Sequence, residues 1–245
     1  MAYGKRLIVA GVAALAVGLV ATFPARIAYQ WFAPDEIDLS GISGSVWTGS
    51  AAQGSAAGLF LSDLTWRFRP SSLFGLKAGY AVAARLPSGF LESDVAVGAG
   101  NRVRFDNLAA VIPLASLQSL PPAAGIGGEM NLQFNRLVII DGLPTEADGT
   151  VAVSALVLRA LSPTALGDYR VILQTNDEVI SGIVEDVSGA LDVNGSATLN
   201  RDRTYSFVGQ VAPTESAPAS VVDQLRFLGS PDAQGRREFR FEGSL

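Results

Sequence analysis

The chain has 245 residues, a 49% hydrophobic share and a net charge of −5, with no cysteine and no histidine. Those absences exclude disulfides, Cys- or His-ligated metal centres, Ser-His-Asp and Cys-His catalysis, and a histidine switch near neutral pH. Beyond Lys5 and Arg6, the two cations of residues 1–24, the balance is −7, which argues against a nucleic-acid binder, since that needs a basic face.

Leu7 to Phe23 is an apolar run broken only by Gly11, Gly18 and Thr22, and Lys5 and Arg6 precede it. At ~1.5 Å rise per residue the run spans about 26 Å, close to the ~30 Å of a bilayer's hydrocarbon core. The positive flank places residues 1–6 in the cytoplasm and everything past the span outside the inner membrane. A cleaved signal peptide is the competing reading. The exit Ala21-Thr22-Phe23-Pro24-Ala25 suits it poorly, because proline close to a cut blocks cleavage. In Arg26-Ile27-Ala28-Tyr29-Gln30-Trp31-Phe32, the aromatics Tyr29, Trp31 and Phe32 suit the headgroup layer. With Lys5 and Arg6 they are the expected membrane anchors, and packing on the following domain is the alternative. The predicted organisation is a transmembrane helix with its periplasmic interface over 7–33, ended by Pro34, and a periplasmic β-rich domain over 34–245.

From Asp38 onward the apolar period becomes two. Leu64, Trp66 and Phe68 alternate with Thr65, Arg67 and Arg69; Val103 and Phe105 with Arg102 and Arg104; Met130, Leu132 and Phe134 with Asn131, Gln133 and Asn135. Tyr169, Val171 and Leu173, then Phe239 and Phe241, repeat the pattern. Each reads as an antiparallel strand with one apolar and one polar face. Turn signals occur at Pro87-Ser88-Gly89, Gly98-Ala99-Gly100, Asp141-Gly142, Asp148-Gly149 and Asn194-Gly195-Ser196, and about twelve to sixteen strands are expected. Short helices are predicted around Pro113 to Leu120 and from Ala219 to Leu228, the second with Val221, Val222, Leu225 and Leu228 on one face, Gly229 as its C′ residue and Pro231 as a stop.

A weak internal repeat is present. Gly44-Ser45-Val46-Trp47 resembles Gly149-Thr150-Val151-Ala152, and Arg69-Pro70-Ser71-Ser72-Leu73 resembles Leu161-Ser162-Pro163-Thr164-Ala165-Leu166. Strands opening on Tyr80 and Tyr169 follow. This predicts two related β units, about 40–120 and 145–212, whose stacking buries one apolar face or lines a groove. The predicted fold is mainly β: a transmembrane helix, then a curved antiparallel sheet, as an open groove or a sandwich, with one or two short helices.

Several segments carry a family resemblance. They are Leu39-Ser40-Gly41-Ile42-Ser43-Gly44-Ser45-Val46-Trp47-Thr48-Gly49-Ser50-Ala51, then Leu64-Thr65-Trp66 with Pro70 and Leu73. The tail adds Leu225-Arg226-Phe227-Leu228-Gly229-Ser230-Pro231-Asp232, Gly235 and Phe241-Glu242-Gly243. With the short N-terminal anchor, they make the chain resemble the type II secretion system protein N family over essentially its whole length. The resemblance implies a non-enzymatic accessory subunit of the machine that exports folded proteins across the outer membrane. It implies an inner-membrane, single-pass location with contacts to the inner-membrane platform and the secretin. The family is also similar to AsmA-like envelope proteins, whose repeated β units form a groove, so lipid binding or lipid transfer is the alternative function. The family brings no catalytic residues, and no cofactor, metal or small-molecule substrate is expected; membrane lipid is met through the N-terminal helix.

The residues themselves offer little chemistry. Gly98-Ala99-Gly100 and Gly125-Ile126-Gly127-Gly128 read as turns rather than a nucleotide loop. Asp192-Val193-Asn194-Gly195 lacks the remaining ligands of a calcium loop. The adjacent acidic pairs Asp35-Glu36, Asp177-Glu178 and Glu185-Asp186 point to opposite faces in a strand and share no site. Trp47, Gly49 and Trp66 are the interaction candidates. Both tryptophans can serve as core; alternatively Trp47, between Gly44 and Gly49, marks a docking edge where glycine admits another backbone.

Overall fold

The structure, a computed structural model, describes residues 11–12, 15, 17–32, 37–56, 58–70, 78–117 and 125–244. Residues 17–21 are helical, and the Thr22 amide and hydroxyl both donate to the Gly18 carbonyl, at 3.0 and 2.8 Å. The helix expected to run unbroken through Phe32 is interrupted at Thr22–Pro24. Pro24 has no amide proton to continue the ladder. It instead forms a bridge with Ser45 and offers its carbonyl to the Ile27 and Ala28 amides as helix α1 (Ala25–Phe32) begins. No helix of the described residues is long and apolar enough to cross a membrane. The span read from the sequence includes residues 7–10, 13, 14, 16 and 33, which lie outside the described residues, as do Lys5 and Arg6.

The period-two segments form a single antiparallel sheet of fourteen strands. The first half comprises β1 (Ile37–Ser40), β2 (Ser43–Gly44), β3 (Thr48–Ala56), β4 (Leu59–Phe68), β5 (Ala78–Leu86), β6 (Gly89–Gly98) and β7 (Arg102–Pro113). The second comprises β8 (Ile126–Ile140), β9 (Leu143–Leu158), β10 (Gly167–Asn176), β11 (Val179–Gly189), β12 (Leu191–Leu199), β13 (Thr204–Pro213) and β14 (Arg237–Ser244). From β3 to β14 each strand pairs with its sequence neighbours, and β1 and β2 both pair with β3. The sheet is open, ending at β1 and at β14, as the open form of the expectation has it.

Turn chemistry joins many of the strands. Asp141 and Gly142 take φ of 49° and 79° between β8 and β9, the doubly positive geometry that two-residue hairpins need. Asp148-Gly149 and Asn194-Gly195-Ser196, read as turns from the sequence, lie inside β9 and β12 instead. A Cβ at Gly149 would strike Phe134 and the Gln133 carbonyl. These glycines serve close strand approach rather than chain reversal.

The register slips by a residue at Ser62/Thr65 between β4 and β5, at Glu92/Asp94 between β6 and β7, and at Phe134/Arg136 between β8 and β9. Asp63 and Asn107 sit at two of these slips with φ of 50° and 52°. Such bulges bend and twist a sheet. The main core lies on one face, around Leu86, Leu108, Ala110, Ile112, Phe134, Ala147 and Ile180.

The helix expected around Pro113 to Leu120 is a 3-10 turn at Leu114–Leu117, with 118–120 outside the described residues. Helix α2 (Ala219–Leu225) buries Val221 and Leu225, one turn apart, and Val221 packs against Leu166 and Ala190. A 3-10 turn at Arg226–Leu228 follows and turns Leu228 outward, so the apolar stripe is narrower than its four-residue reading. Gly229 ends it at φ 101°.

Candidate functional site

One face of the sheet carries two apolar rows that cross strand after strand. Ala84, Leu91, Ala110, Leu132, Val151, Val171, Val184, Gly195, Gly209 and Phe239 are successive cross-strand partners from β5 to β14. A second row runs Leu108, Phe134, Gly149, Leu173, Gly182, Ala197, Phe207 and Phe241 from β7 to β14. Every member is apolar or glycine. The opposite face is mixed: Glu92, Ala109, Gln133, Thr150, Ile172, Ile183, Ser196, Val208 and Arg240 form one of its rows. Strict alternation places these two sets on opposite sides.

The apolar face is hollow over β8 to β13. A cavity of about 450 Å³ is lined by Phe134, Leu137, Pro144, Ala147, Leu173, Ile180, Gly182, Ala197, Leu199, Tyr205 and Phe207, with only Thr198 and Ser206 besides. At Gly182 the neighbouring side chains close in: an added Cβ would meet Leu173 at 3.0 Å and Val171 at 3.3 Å. Such a trough takes an apolar ligand or an apolar partner side chain. It holds no paired carboxylates, and among the described residues no three His, Cys, Asp or Glu side chains gather as metal ligands. Of the acidic pairs, Glu185 faces Arg170 at 3.4 Å and Asp186 accepts the Val193 amide at 3.0 Å. Asp177 and Glu178 form the β10–β11 turn.

Trp47, Gly49 and Trp66 come together at the other end of the sheet, where the N-terminal segment meets β2 to β5. Gly49 is the cross-strand partner of Trp66. The Trp66 Nε1–H donates to the Ser45 carbonyl at 3.1 Å, and the Trp47 Nε1–H donates to the Val20 carbonyl at 2.7 Å. The Val46 amide donates to the Phe23 carbonyl at 3.0 Å. Trp47 meets Phe68 edge-on at 4.8 Å between centroids, and Phe68 meets Tyr80 at 5.4 Å. An apolar crevice of about 670 Å³ opens between Val17, Val20 and Ala21 on one side and Trp47, Phe68 and Pro70 on the other. The expected anchors divide. Trp31 and Phe32 are 67% and 77% exposed, while the Tyr29 phenol turns back to β1, within 3.0 Å of the Ile37 carbonyl and 2.9 Å of the Leu39 amide.

Electrostatics are local. The Asp106 carboxylate holds the Arg104 guanidinium above its ordinary value through a hydrogen bond. Burial pushes the Tyr80 and Tyr169 phenols upward, with Asp186 and Asp168 adding to the effect at Tyr169. The sequence exposed Leu173, Phe239 and Phe241 as one-sided residues. It hid the glycine contribution of Gly149, Gly182, Gly195 and Gly209, because glycine inside a strand has the same local signal as a turn.

Comparison with known proteins is consistent over most of the chain. Residues 35–240 match the family described as "Type II secretion system (T2SS), protein N". Type II secretion system protein N of Vibrio cholerae is 26% identical over 251 residues, covering 94% of each chain. The protein of that name from Pectobacterium carotovorum is 26% identical over 248 residues, covering 98% of each, and that from Aeromonas hydrophila is 25% identical over 218 residues, covering 86% of each. No solved structure matches.

Proposed function

Because the chain belongs to the type II secretion system protein N family, we propose that it is a non-enzymatic accessory component of that secretion system. In this reading the N-terminal segment anchors the chain in the inner membrane and the sheet stands in the periplasm. There it contacts other subunits, the inner-membrane platform and the secretin, and so supports export across the outer membrane. The observation that carries the reading is the apolar trough over β8 to β13 together with the edge of β14, which among the described residues pairs with no further strand. Apolar troughs and free edges are the features by which sheets take up partner chains. Trp47 bonds the N-terminal segment, Trp66 and Gly49 pack beside it in the sheet, and the three are the proposed place where membrane attachment and sheet orientation are coupled. The test is affinity capture of the full-length chain from gently solubilised envelopes. Recovery of the platform or the secretin supports the reading; recovery of neither overturns it.

The same trough favours a second reading, lipid binding or transfer in the manner of AsmA-like envelope proteins. Its wall from β8 to β13 is almost wholly apolar and curved, as an acyl chain requires. Native mass spectrometry of the gently extracted chain tests it: a lipid-sized adduct supports lipid binding, and a bare chain argues against it.

A further inference from the structure

The two ends of this sheet are treated differently. At the β1 edge the Tyr29 phenol occupies both the Ile37 carbonyl and the Leu39 amide, so that edge is already covered from within the chain. At the other end β14 pairs with β13 on one side and, among the described residues, with no strand on the other. A free edge is a template for another strand, and the composition of this one is specific. On the apolar face the two rows run out through Phe239 and Phe241, and Phe241 is 58% exposed. On the opposite face Glu238, Arg240 and Glu242 alternate in sign, and the Arg240 side chain bonds its own strand neighbour Glu242, Nε to carboxylate at 2.8 Å.

We propose that β14 pairs antiparallel with β14 of a second copy of this chain, with Phe241 opposite Phe241 on the two-fold axis. A two-fold contact requires one patch to complement itself, and this register does so. It places Arg240 opposite Glu242 of the other copy twice over, turning an exposed intrastrand pair into two cross-strand pairs. It also puts Phe239 beside Gly243 and Glu238 beside Ser244. Opposite charges at facing positions stabilise a strand pair and like charges oppose it. The register with Phe239 opposite Phe241 sets Arg240 against Arg240 and Glu238 against Glu242, and is disfavoured. A one-residue slip moves the phenylalanines to the charged face. Centring on Phe241 overlaps seven residues of β14, from Glu238 to Ser244, against five when Phe239 is the centre. The apolar rows then continue from one copy into the next, giving a single trough across both. This pairing uses only the sheet's own edge, whichever secretion subunits the chain contacts.

The chain has no cysteine, so a single introduced thiol reports on one place. In the full-length chain, extracted gently and oxidised mildly, Phe241→Cys forms a disulfide-linked dimer about tenfold faster than Phe60→Cys, an exposed position on β4, because facing Cβ atoms in a strand pair lie ~5 Å apart. Arg240→Glu lowers the dimer fraction seen by native mass spectrometry, and Arg240→Glu combined with Glu242→Arg restores it. Cross-linking at Phe241→Cys no faster than at Phe60→Cys overturns the proposal. So does a dimer fraction that Arg240→Glu leaves unchanged.

Discussion

Trp66 lies against Gly49 so closely that no Cβ fits between them. A methyl group added at Gly49 would press on the indole Cζ2 and Cε2 atoms and on the Ser43 carbonyl oxygen. The space that glycine leaves on β3 is filled from within the chain, and the indole that fills it is fixed by its own bond to Ser45. Gly49→Ala therefore overpacks the junction and costs about 1–3 kcal/mol. Thermal unfolding of the variant is expected several degrees lower, with a shifted tryptophan emission. An unchanged midpoint would show that the indole swings aside at no cost.

Tyr29 has a role that its place in an aromatic cluster does not suggest. Its hydroxyl both donates to the Ile37 carbonyl and accepts from the Leu39 amide, so one side chain satisfies two edge groups of β1. Tyr29→Phe keeps the ring and removes both bonds. A stability loss of about 1 kcal/mol is expected, with faster hydrogen exchange at the Leu39 amide while the β7–β8 amides keep their protection. If the Leu39 amide exchanges at the parent rate, the capping role is refuted.

Alkaline titration separates Tyr80 and Tyr169 from free tyrosine. Burial raises Tyr80 and Tyr169 above the ordinary value of 10.0, and the Tyr169 hydroxyl also donates to the Leu166 carbonyl at 3.2 Å. A raised folded value means the folded chain holds the proton more tightly than the unfolded one. The resulting stabilisation is complete below pH 10.0 and is lost as pH rises through the raised folded value. Phenolate absorbance should show a late component that shrinks in Tyr169→Phe. A titration in which that variant loses amplitude at pH 10.0 rather than above it would contradict the burial.

Much of the sheet was legible because its physics is local. Period two wherever one face is apolar set Leu64, Trp66 and Phe68, then Met130, Leu132 and Phe134, on strands that the structure contains. Val221 and Leu225, four residues apart, marked α2 by the helical spacing instead. The failures have a common cause. Asp63, Asn107 and Ala155 take positive φ inside strands, where residue type alone does not separate a bulge from a turn. Gly149 and Gly195 looked like turns because the sequence does not reveal that Phe134 or another strand presses on them. The break at Pro24 was readable in principle, since proline ends one amide ladder and opens the next, but the apolar run on both sides masked it. The trough was half visible: its large residues stood out, and the small ones of its lining, Gly182 and Ala197, did not.

The trough can be tested by charge without filling it. Ala197 lies half-buried on the wall, between Gly182 on β11 and Phe207 on β13. Its strand neighbour Ser196 is exposed on the opposite face. Ala197→Asp places a carboxylate where no cation lines the cavity, and an unpaired charge against apolar surface is strongly unfavourable for any apolar guest. Binding of an uncharged apolar dye such as Nile red is expected to weaken by about tenfold or more, equivalent to ~1.4 kcal/mol. Ser196→Asp adds the same charge one residue away and should leave dye binding at the parent level, because strand alternation carries it to the other side of the sheet. Equal weakening by both substitutions would mean that the dye responds to net charge, and that the hollow over β8 to β13 is not where an apolar guest sits.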